Sequence, residues 1–260
     1  MYEDILYEKK DGIARITINR PKVYNAFRDQ TIDEMIDAFE DANGDESVGV
    51  IVLSGAGGKA FCTGGDVKWE GEFNPAGGRA LFRRIMKLSH AIRNNGKPVI
   101  AAVRGYCIGG GNELNLLCDL TIATENSKFG QAGPKMGSVP VWYGTQMLPR
   151  VLGEKRAREM VYLCHQYTAG EALQMGLVNK VVPDDQLDEA VDEWCRELLE
   201  KSPQALRIAK ISMNFESDML YPSVVHGFNM ISMAHGTEEF QEGCRAFTEK
   251  RKPDFNQFRK

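Results

Sequence analysis

The stretch Arg104-Gly105-Tyr106-Cys107-Ile108-Gly109-Gly110-Gly111-Asn112-Glu113-Leu114 carries the strongest chemical signal in the chain. The apolar residues 98–103 before it are typical of a buried strand, and the residues from 112 onward are typical of a helix start. The first N–H groups of a helix lack intrahelical acceptors and carry partial positive charge, and glycine lets a ligand approach them closely. The stretch therefore predicts a strand–turn–helix unit whose turn suits an oxygen that becomes negative during a reaction.

Glu113 follows Gly110 by three residues, so on a helix its carboxylate is expected on the face that carries the Gly110 N–H. On these residues alone, two interpretations stay open. An oxyanion donor and an acid/base group converge on one site, or the glycines merely pack a strand against a helix and Glu113 is solvated.

Length and composition indicate an ordinary globular protein. The chain has 260 residues, 43% hydrophobic and 26% charged, which suits one large domain or one domain with an appendage. The net charge of −4 argues against a nucleic-acid partner. Because no stretch approaches the roughly 20 apolar residues of a membrane helix, no membrane partner is expected.

The six cysteines form no CxxC pair and the four histidines form no HxxxH motif, which argues against a structural zinc site. The start of the chain does not resemble a signal peptide. We therefore expect reduced thiols, no bound metal and a cytoplasmic location.

Strands alternate with helices through the first two thirds of the chain. Asp11-Gly12 is a hairpin signal between the first two strands. The predicted strands are 5–9, 13–18, 48–53, 98–103, 119–124 and 178–182. The predicted helices are 31–42, 79–94, 144–152, 154–165, 170–175, 187–200, 204–213, 224–233 and 239–250. Because only helices follow residue 187, we place a soft boundary near residue 200.

Two predicted loops have compositions that are often found in functional segments. Residues 55–67 are rich in glycine, but the spacing fits neither a phosphate-binding loop nor a dinucleotide fingerprint. Gly64-Gly65 in this loop is a second place where a ligand can approach the backbone. Residues 128–144 form a predicted long loop dense in turn residues and aromatic side chains, which is typical of a functional segment.

Taken in order, the motifs at residues 19–27, 59–66, 98–113, 118–119, 129–131 and 144–146 resemble those of the crotonase (enoyl-CoA hydratase/isomerase) superfamily along the whole chain. The resemblance implies an α/β fold, a crotonase (ClpP-like) spiral of ββα units with a C-terminal helical region. It implies a CoA-binding and catalytic core over residues 1–200. Residues 201–260 are then helices for oligomerisation and a lid over a neighbouring site. The implied assembly is a homotrimer or a dimer of trimers, and coenzyme A enters only as part of an acyl-CoA thioester substrate.

The resemblance also assigns roles at the site. Backbone N–H groups of Gly65 and Gly110 hold the thioester oxygen, and Glu113 is the general acid/base. His235 is a second candidate base or a donor to a substrate carbonyl, unless it is only a helix-end residue. Residues implied to contact the acyl group or CoA are Lys22, Tyr24, Ala26, Ala60, Thr63, Gly64, Asp66, Val67, Tyr106, Gln131, Gly133, Ser138, Trp142, Tyr143 and Lys250.

Several of these residues have a competing structural role. Ser138 is equally explained as a turn hydroxyl, and Asp66 as a residue that caps or orders the loop after Gly65. Trp142 and Tyr143 are expected in the pocket wall. Lys250 either reaches the CoA phosphates from a neighbouring protomer or is a solvated helix end.

Within the superfamily, residues 62–66, 130–138, 155–159 and 243–255 resemble 2-ketocyclohexanecarboxyl-CoA hydrolase and 1,4-dihydroxy-2-naphthoyl-CoA synthase. Where this chain has Glu113, these subgroups have an apolar residue. Where it has Pro140 and His235, they have an aspartate and a tyrosine. The second glutamate of simple hydratases falls at Gly133, which leaves space for a water, an anion or a cyclic acyl group.

The expected function is ring-opening hydrolysis of a cyclic β-oxoacyl-CoA or hydration of a linear or cyclic 2-enoyl-CoA. Both reactions pass through a thioester enolate and use water. The alternatives are ring closure of the naphthoyl-CoA synthase type and a non-catalytic member that binds acyl-CoA.

Overall fold

The computed structural model describes residues 2–259. Its strands are β1 (Ile5–Lys10), β2 (Ile13–Ile18), β3 (Val50–Gly55), β4 (Ala60–Cys62), β5 (Val99–Val103), β6 (Tyr106–Ile108), β7 (Leu120–Thr124), β8 (Lys128–Gly130), β9 (Gln166–Thr168) and β10 (Lys180–Val182). Its helices are α1 (Asp29–Gly44), α2 (Val67–Glu70), α3 (Pro75–Arg93), α4 (Gly110–Leu117), α5 (Gly144–Leu152), α6 (Glu154–Leu163), α7 (Ala169–Gln174), α8 (Leu187–Leu199), α9 (Pro203–Asp218), α10 (Tyr221–Ala234) and α11 (Glu238–Thr248).

A six-stranded sheet forms the base of the molecule, in the order β1-β2-β3-β5-β7-β10. Asp11 and Gly12 both have positive φ, as a two-residue hairpin turn requires, and they join β1 to β2 where predicted. All other neighbours in this sheet are parallel. Strand β5 is buried along its whole length, because apolar side chains cover both faces of a parallel sheet.

A second sheet of four short strands, β4-β6-β8-β9, lies beside the first. The chain repeatedly passes from a strand of the large sheet to a strand of the small sheet and then into a helix, as in β3–β4–α3, β5–β6–α4 and β7–β8–α5. This repeat is the spiral of ββα units that the resemblance implies.

Sequence reasoning missed all four strands of the small sheet, and it described residues 128–144 as loop although β8 begins there. Each of these strands has only three residues, which is too short to show an alternating pattern. It also missed α2, which has four residues, and it ended the helix from residue 204 five residues before α9 ends at Asp218.

The C-terminal helices pack against the core of their own chain. Lys210 on α9 is buried, and its Nζ donates to the carbonyl oxygens of Ile92 and Lys97 (2.9 Å each) and to Asp119 Oδ2 (2.7 Å). Helix α10 packs on α3, and α11 lies against α2. The boundary near residue 200 and a lid over a neighbouring site stay predictions.

Within residues 2–259, every helix is too short or too polar to cross a lipid bilayer.

Candidate active site

The parallel strands β4, β6 and β8 end at one edge of the small sheet, and the site is built on the segments that follow them. Tyr106 pairs with Ala60 on one side and with Lys128 on the other, so the three strands begin at the same level, and the register of β4 against β6 shifts by one residue between Ala60 and Cys62. Their carboxyl ends lead into residues 63–65, 109–110 and 131–133, all of which line one cavity.

The Gly65 N–H faces this cavity because its neighbours are tied to Phe27. Phe27 N donates to the Gly64 carbonyl oxygen and Asp66 N donates to the Phe27 carbonyl oxygen, both at 2.8 Å. These two bonds point from residues 64 and 66 toward Phe27. In an extended segment, Gly65 between them then directs its own N–H away from Phe27. Gly64 has φ of +94°, a conformation that favours glycine.

Gly110 supplies a second N–H as the first residue of α4, where the helix offers it no acceptor. A Cβ atom built on Gly64 would lie only 2.9 Å from the Gly110 nitrogen, so a side chain there would displace one backbone from the other. Over the described residues, neither the Gly65 nor the Gly110 N–H is bonded to a protein acceptor. The arrangement can therefore donate two hydrogen bonds to one oxygen atom.

Glu113 points into the cavity from the first turn of α4. It is 6% exposed, and its Oε1 has no hydrogen-bond partner. Burial raises the pKa of this carboxyl well above its ordinary value, although the N–H groups of Trp142 and Gly144 act in the opposite direction. A buried carboxyl with a free oxygen beside two N–H donors has the properties of a general acid/base.

Glu70 is a second carboxyl in the cavity, and sequence reasoning did not single it out. It ends α2 and faces Gly65: a Cβ atom built on Gly65 would lie 2.5 Å from Glu70 Cδ and closer still to Oε1. The side chain is partly exposed to the cavity, and burial together with the nearby Asp66 raises the pKa of Glu70 to about 7. No pattern in residues 63–71 marked it, since α2 has only one turn.

His235 also lines the cavity, at the end of α10. It is 7% exposed, its ring lies between Phe73 and Phe240, and its Nδ1 has no hydrogen-bond partner and faces Gly78. Burial lowers the pKa of this imidazole, which favours the neutral form. The structure thus brings the second predicted base to the cavity.

Most of the predicted wall residues surround the same space. Those that line the cavity are Thr63, Gly64, Val67, Gln131, Gly133, Ser138 and Trp142. Both amide atoms of Gln131 are buried without a partner, so this side chain can bond a polar acyl group. Trp142 Nε1 donates to Ser89 Oγ (2.7 Å), and its ring packs edge-on against Phe27.

The structure places two of the predicted wall residues differently from the expectation. Tyr143 lies outside the cavity: its backbone has φ of +62°, and its ring packs on Arg93 beside a separate surface cleft. Gly133 lines the cavity, but a Cβ atom there would lie 2.9 Å from the Ser138 carbonyl oxygen, so a side chain at this position would meet backbone.

The other predicted CoA-contacting residues do not line the cavity, and those before residue 110 lie in segments that precede its lining residues Phe27, Thr63 and Gly109. Tyr24 and Tyr106 are both partly exposed, with ring centroids 6.2 Å apart, and Thr63 Oγ1 donates to the Tyr24 carbonyl oxygen. Lys22 is exposed beside them, and Ala26 and Ala60 are buried beneath. Lys250 is exposed after α11.

Asp66 has the capping role proposed as its alternative. Its side chain accepts a hydrogen bond from Lys68 N at the start of α2 and forms an ion pair with Arg20 (3.1 Å). Among residues 2–259, no group of three or more histidine, cysteine, aspartate or glutamate side chains is arranged to hold a metal ion.

A model of the enoyl-CoA hydratase/isomerase family matches residues 8–259. An enoyl-CoA hydratase structure from Mycobacterium avium subsp. paratuberculosis K-10 is 30% identical, with a TM-score of 0.90 over 98% of this chain and 99% of that one. An enoyl-CoA hydratase/isomerase from Xanthobacter autotrophicus Py2 is 30% identical, with a TM-score of 0.86 over 100% of both chains.

An enoyl-CoA hydratase from Bacillus anthracis is 31% identical, with a TM-score of 0.80 over 96% of this chain and 98% of that one. These similarities confirm the predicted α/β crotonase fold. Because the family model and the solved structures match nearly the whole chain, the protein belongs to the enoyl-CoA hydratase/isomerase family.

Proposed function

We propose that this protein adds water to the C2=C3 double bond of a 2-enoyl-CoA thioester. Family membership supports an acyl-CoA substrate, and the similar structures named above are described as enoyl-CoA hydratases. The observation that carries the proposal is the cavity in which the unpaired N–H groups of Gly65 and Gly110 lie beside the buried carboxyl of Glu113.

In the proposed reaction, the thioester oxygen accepts hydrogen bonds from Gly65 and Gly110. Glu113 removes a proton from water as the water oxygen attacks C3, and the π electrons move to form an enolate held by the two amides. A proton added at C2 completes hydration. One such donor contributes about 2.7–4 kcal/mol to the transition state, so the pair accounts for a large part of the rate enhancement.

A second candidate reaction is hydrolytic opening of a cyclic β-oxoacyl-CoA. The unpaired amide of Gln131, with Ser138 in the same wall, favours an acyl group that carries an additional oxygen. Glu113 would then activate water to attack the ring ketone. The bond from that carbon to C2 breaks, its electron pair enters the thioester enolate, and a proton is added to C2.

Steady-state assays with a short 2-enoyl-CoA and with 2-oxocyclohexanecarbonyl-CoA distinguish the two reactions. Hydration gives a 3-hydroxyacyl-CoA, whereas ring opening gives the CoA ester of a dicarboxylic acid, and mass spectrometry with NMR separates these products. We expect Glu113→Gln to lower kcat by about 10²–10⁴-fold. Exposed Glu72 provides the matched control, and Glu72→Gln should keep wild-type turnover.

Two results would contradict this assignment. If Glu113→Gln turns over normally while His235→Ala does not, His235 is the base. If calorimetry detects acyl-CoA binding but neither substrate yields a product, the chain is a non-catalytic binding member of the family.

The proposal includes assembly into a homotrimer or a dimer of trimers. Support comes from large apolar side chains exposed on α9 and α10, which a single chain leaves in contact with water. They are Ile208, Ile211, Met213, Phe215, Met230 and Met233, each more than half exposed. Light scattering after size exclusion measures the mass, and a monomer at micromolar concentration would contradict the proposal.

A further inference from the structure

Glu70 is placed against Gly65 by local chain geometry. Asp66 caps α2 immediately after Gly65, and the single turn of helix brings residue 70 back over residue 65. The contact with Gly65 is so close that a Cβ atom there would lie 2.5 Å from Glu70 Cδ. Gly65, Gly110 and Glu70 line the same cavity, so an acyl group whose thioester oxygen is bound to the Gly65 N–H would share that cavity with this carboxyl.

Among the described residues, no lysine or arginine is paired with Glu70, and the nearby Arg20 is paired with Asp66 instead. The titratable groups that face Glu70 are Asp66 at the start of its own helix, Glu113 from α4, His235 from the end of α10 and Cys244 from α11. Within residues 2–259, no side chain or backbone group is hydrogen-bonded to its carboxyl. A carboxyl left unpaired in an enclosed space is costly, and such groups concentrate at functional sites.

We propose that Glu70 is a catalytic residue that transfers the proton to and from C2 of the acyl group, a role that rests on the proposed acyl-CoA function. Glu113 and Glu70 then divide the reaction between them. Glu113 handles the water at C3, and Glu70 handles the proton at C2.

The proton balance of hydration follows from this division. Glu113 accepts a proton from water while the new C3–O bond forms and the enolate develops on the thioester. The O–H bond of Glu70 then breaks and its proton forms the C2–H bond as the enolate electrons return to C2. Water has been added, Glu113 is protonated and Glu70 is ionised, and one proton passing from Glu113 to Glu70 through solvent restores the starting state.

The position of Glu70 beside Gly65 favours the acid role for this residue. A carboxylate there would repel an enolate oxygen held by the Gly65 amide, so Glu70 must carry its proton while the enolate exists. Burial raises the pKa of Glu113 as well, and the N–H groups of Trp142 and Gly144 only partly oppose that rise, so Glu113 must be in its ionised form when it accepts the proton of the attacking water.

Exchange of the C2 hydrogens of butanoyl-CoA with D₂O, followed by NMR, tests this role separately from hydration. Butanoyl-CoA has no double bond, so its exchange needs the oxyanion amides and the C2 base but not attack by water. We expect Glu70→Gln to lower exchange by about 100-fold or more. Glu113→Gln should abolish hydration of a 2-enoyl-CoA yet still exchange butanoyl-CoA, and Glu72→Gln should behave as wild type in both assays.

The pH profile gives a further readout that a structural role would not produce. Exchange by the wild type should rise as Glu70 ionises through about pH 7. Glu70→Asp should keep a pH-dependent step at a lower rate, whereas Glu70→Gln should have no such step. Acyl-CoA binding measured by calorimetry shows that each variant is folded.

Normal butanoyl-CoA exchange by folded Glu70→Gln would overturn the assignment while leaving hydration intact. Wild-type protein that exchanges butanoyl-CoA through Glu70 but hydrates no 2-enoyl-CoA would instead refute hydration and keep the role of Glu70.

Discussion

Replacing Glu70 with glutamine should stabilise the unliganded protein at alkaline pH and have little effect at acidic pH. Burial beside Asp66 raises the pKa of Glu70 from 4.5 to about 7. Between these values the folded protein keeps a proton that the unfolded chain has lost, so stability falls as pH rises. A glutamine has no such proton to lose, and the variant escapes this destabilisation.

The size of the effect follows from the shift. At about 1.4 kcal/mol per pKa unit, a shift from 4.5 to about 7 corresponds to up to about 3 kcal/mol. The difference in unfolding free energy between Glu70→Gln and wild type should be near zero at pH 4, grow between pH 4.5 and 7, and level off above that range. Urea unfolding at a fixed protein concentration, followed by circular dichroism at several pH values, measures it.

The control is again Glu72→Gln, which removes a nearby exposed carboxyl and should follow the wild-type curve at every pH. A constant difference between Glu70→Gln and wild type from pH 4 to pH 8 would refute the reasoning, because a group with an unshifted pKa contributes no pH dependence. Destabilisation at pH 8 would do the same and would indicate a structural partner for Glu70.

Three further substitutions test residues that support the core and the site by packing or hydrogen bonding. Lys210→Met should lower the unfolding free energy by about 3 kcal/mol, since it removes the donor on α9 that pairs with the Ile92 carbonyl oxygen and the Asp119 carboxylate, and urea unfolding would detect the loss. Ser89→Ala should cost about 1–3 kcal/mol by orphaning the Trp142 N–H, with a shift in tryptophan fluorescence as the direct readout. Gly111→Ala should abolish activity, because its Cβ would collide with the Cys62 carbonyl oxygen beneath the oxyanion amides; wild-type turnover would contradict that placement.

The fold was predictable wherever a pattern of apolar residues or turn residues extended over a long enough segment of the sequence. The hairpin at Asp11-Gly12 and the long parallel strands follow from turn chemistry and continuous apolar runs. The small sheet was not predictable in this way, because three-residue strands carry no periodicity. Its strands owe their conformation to neighbours distant in sequence, as in the pairing of Ala60 with Tyr106 and Tyr106 with Lys128.

The site also contains residues that a local sequence pattern predicts and residues whose position depends on the folded structure. Gly65, Gly110 and Glu113 could be proposed from glycine positions, helix spacing and family resemblance, and the structure places them around one cavity. Glu70 could not be proposed, since its position depends on how one turn of helix folds back over Gly65. Tyr143 was misplaced because nothing in the sequence distinguishes its left-handed backbone from that of its neighbours.

Main-chain nitrogens, rather than side chains, supply the two donors at the end of the small sheet. Ordinary point mutation cannot delete a peptide N–H, except by introducing proline. Under the proposed mechanism, descendants of this gene could therefore exchange side chains around the acyl group and acquire new substrates while the enolate chemistry is inherited unchanged. Diversification in such a lineage should alter what is bound long before it alters how the bound carbonyl is activated.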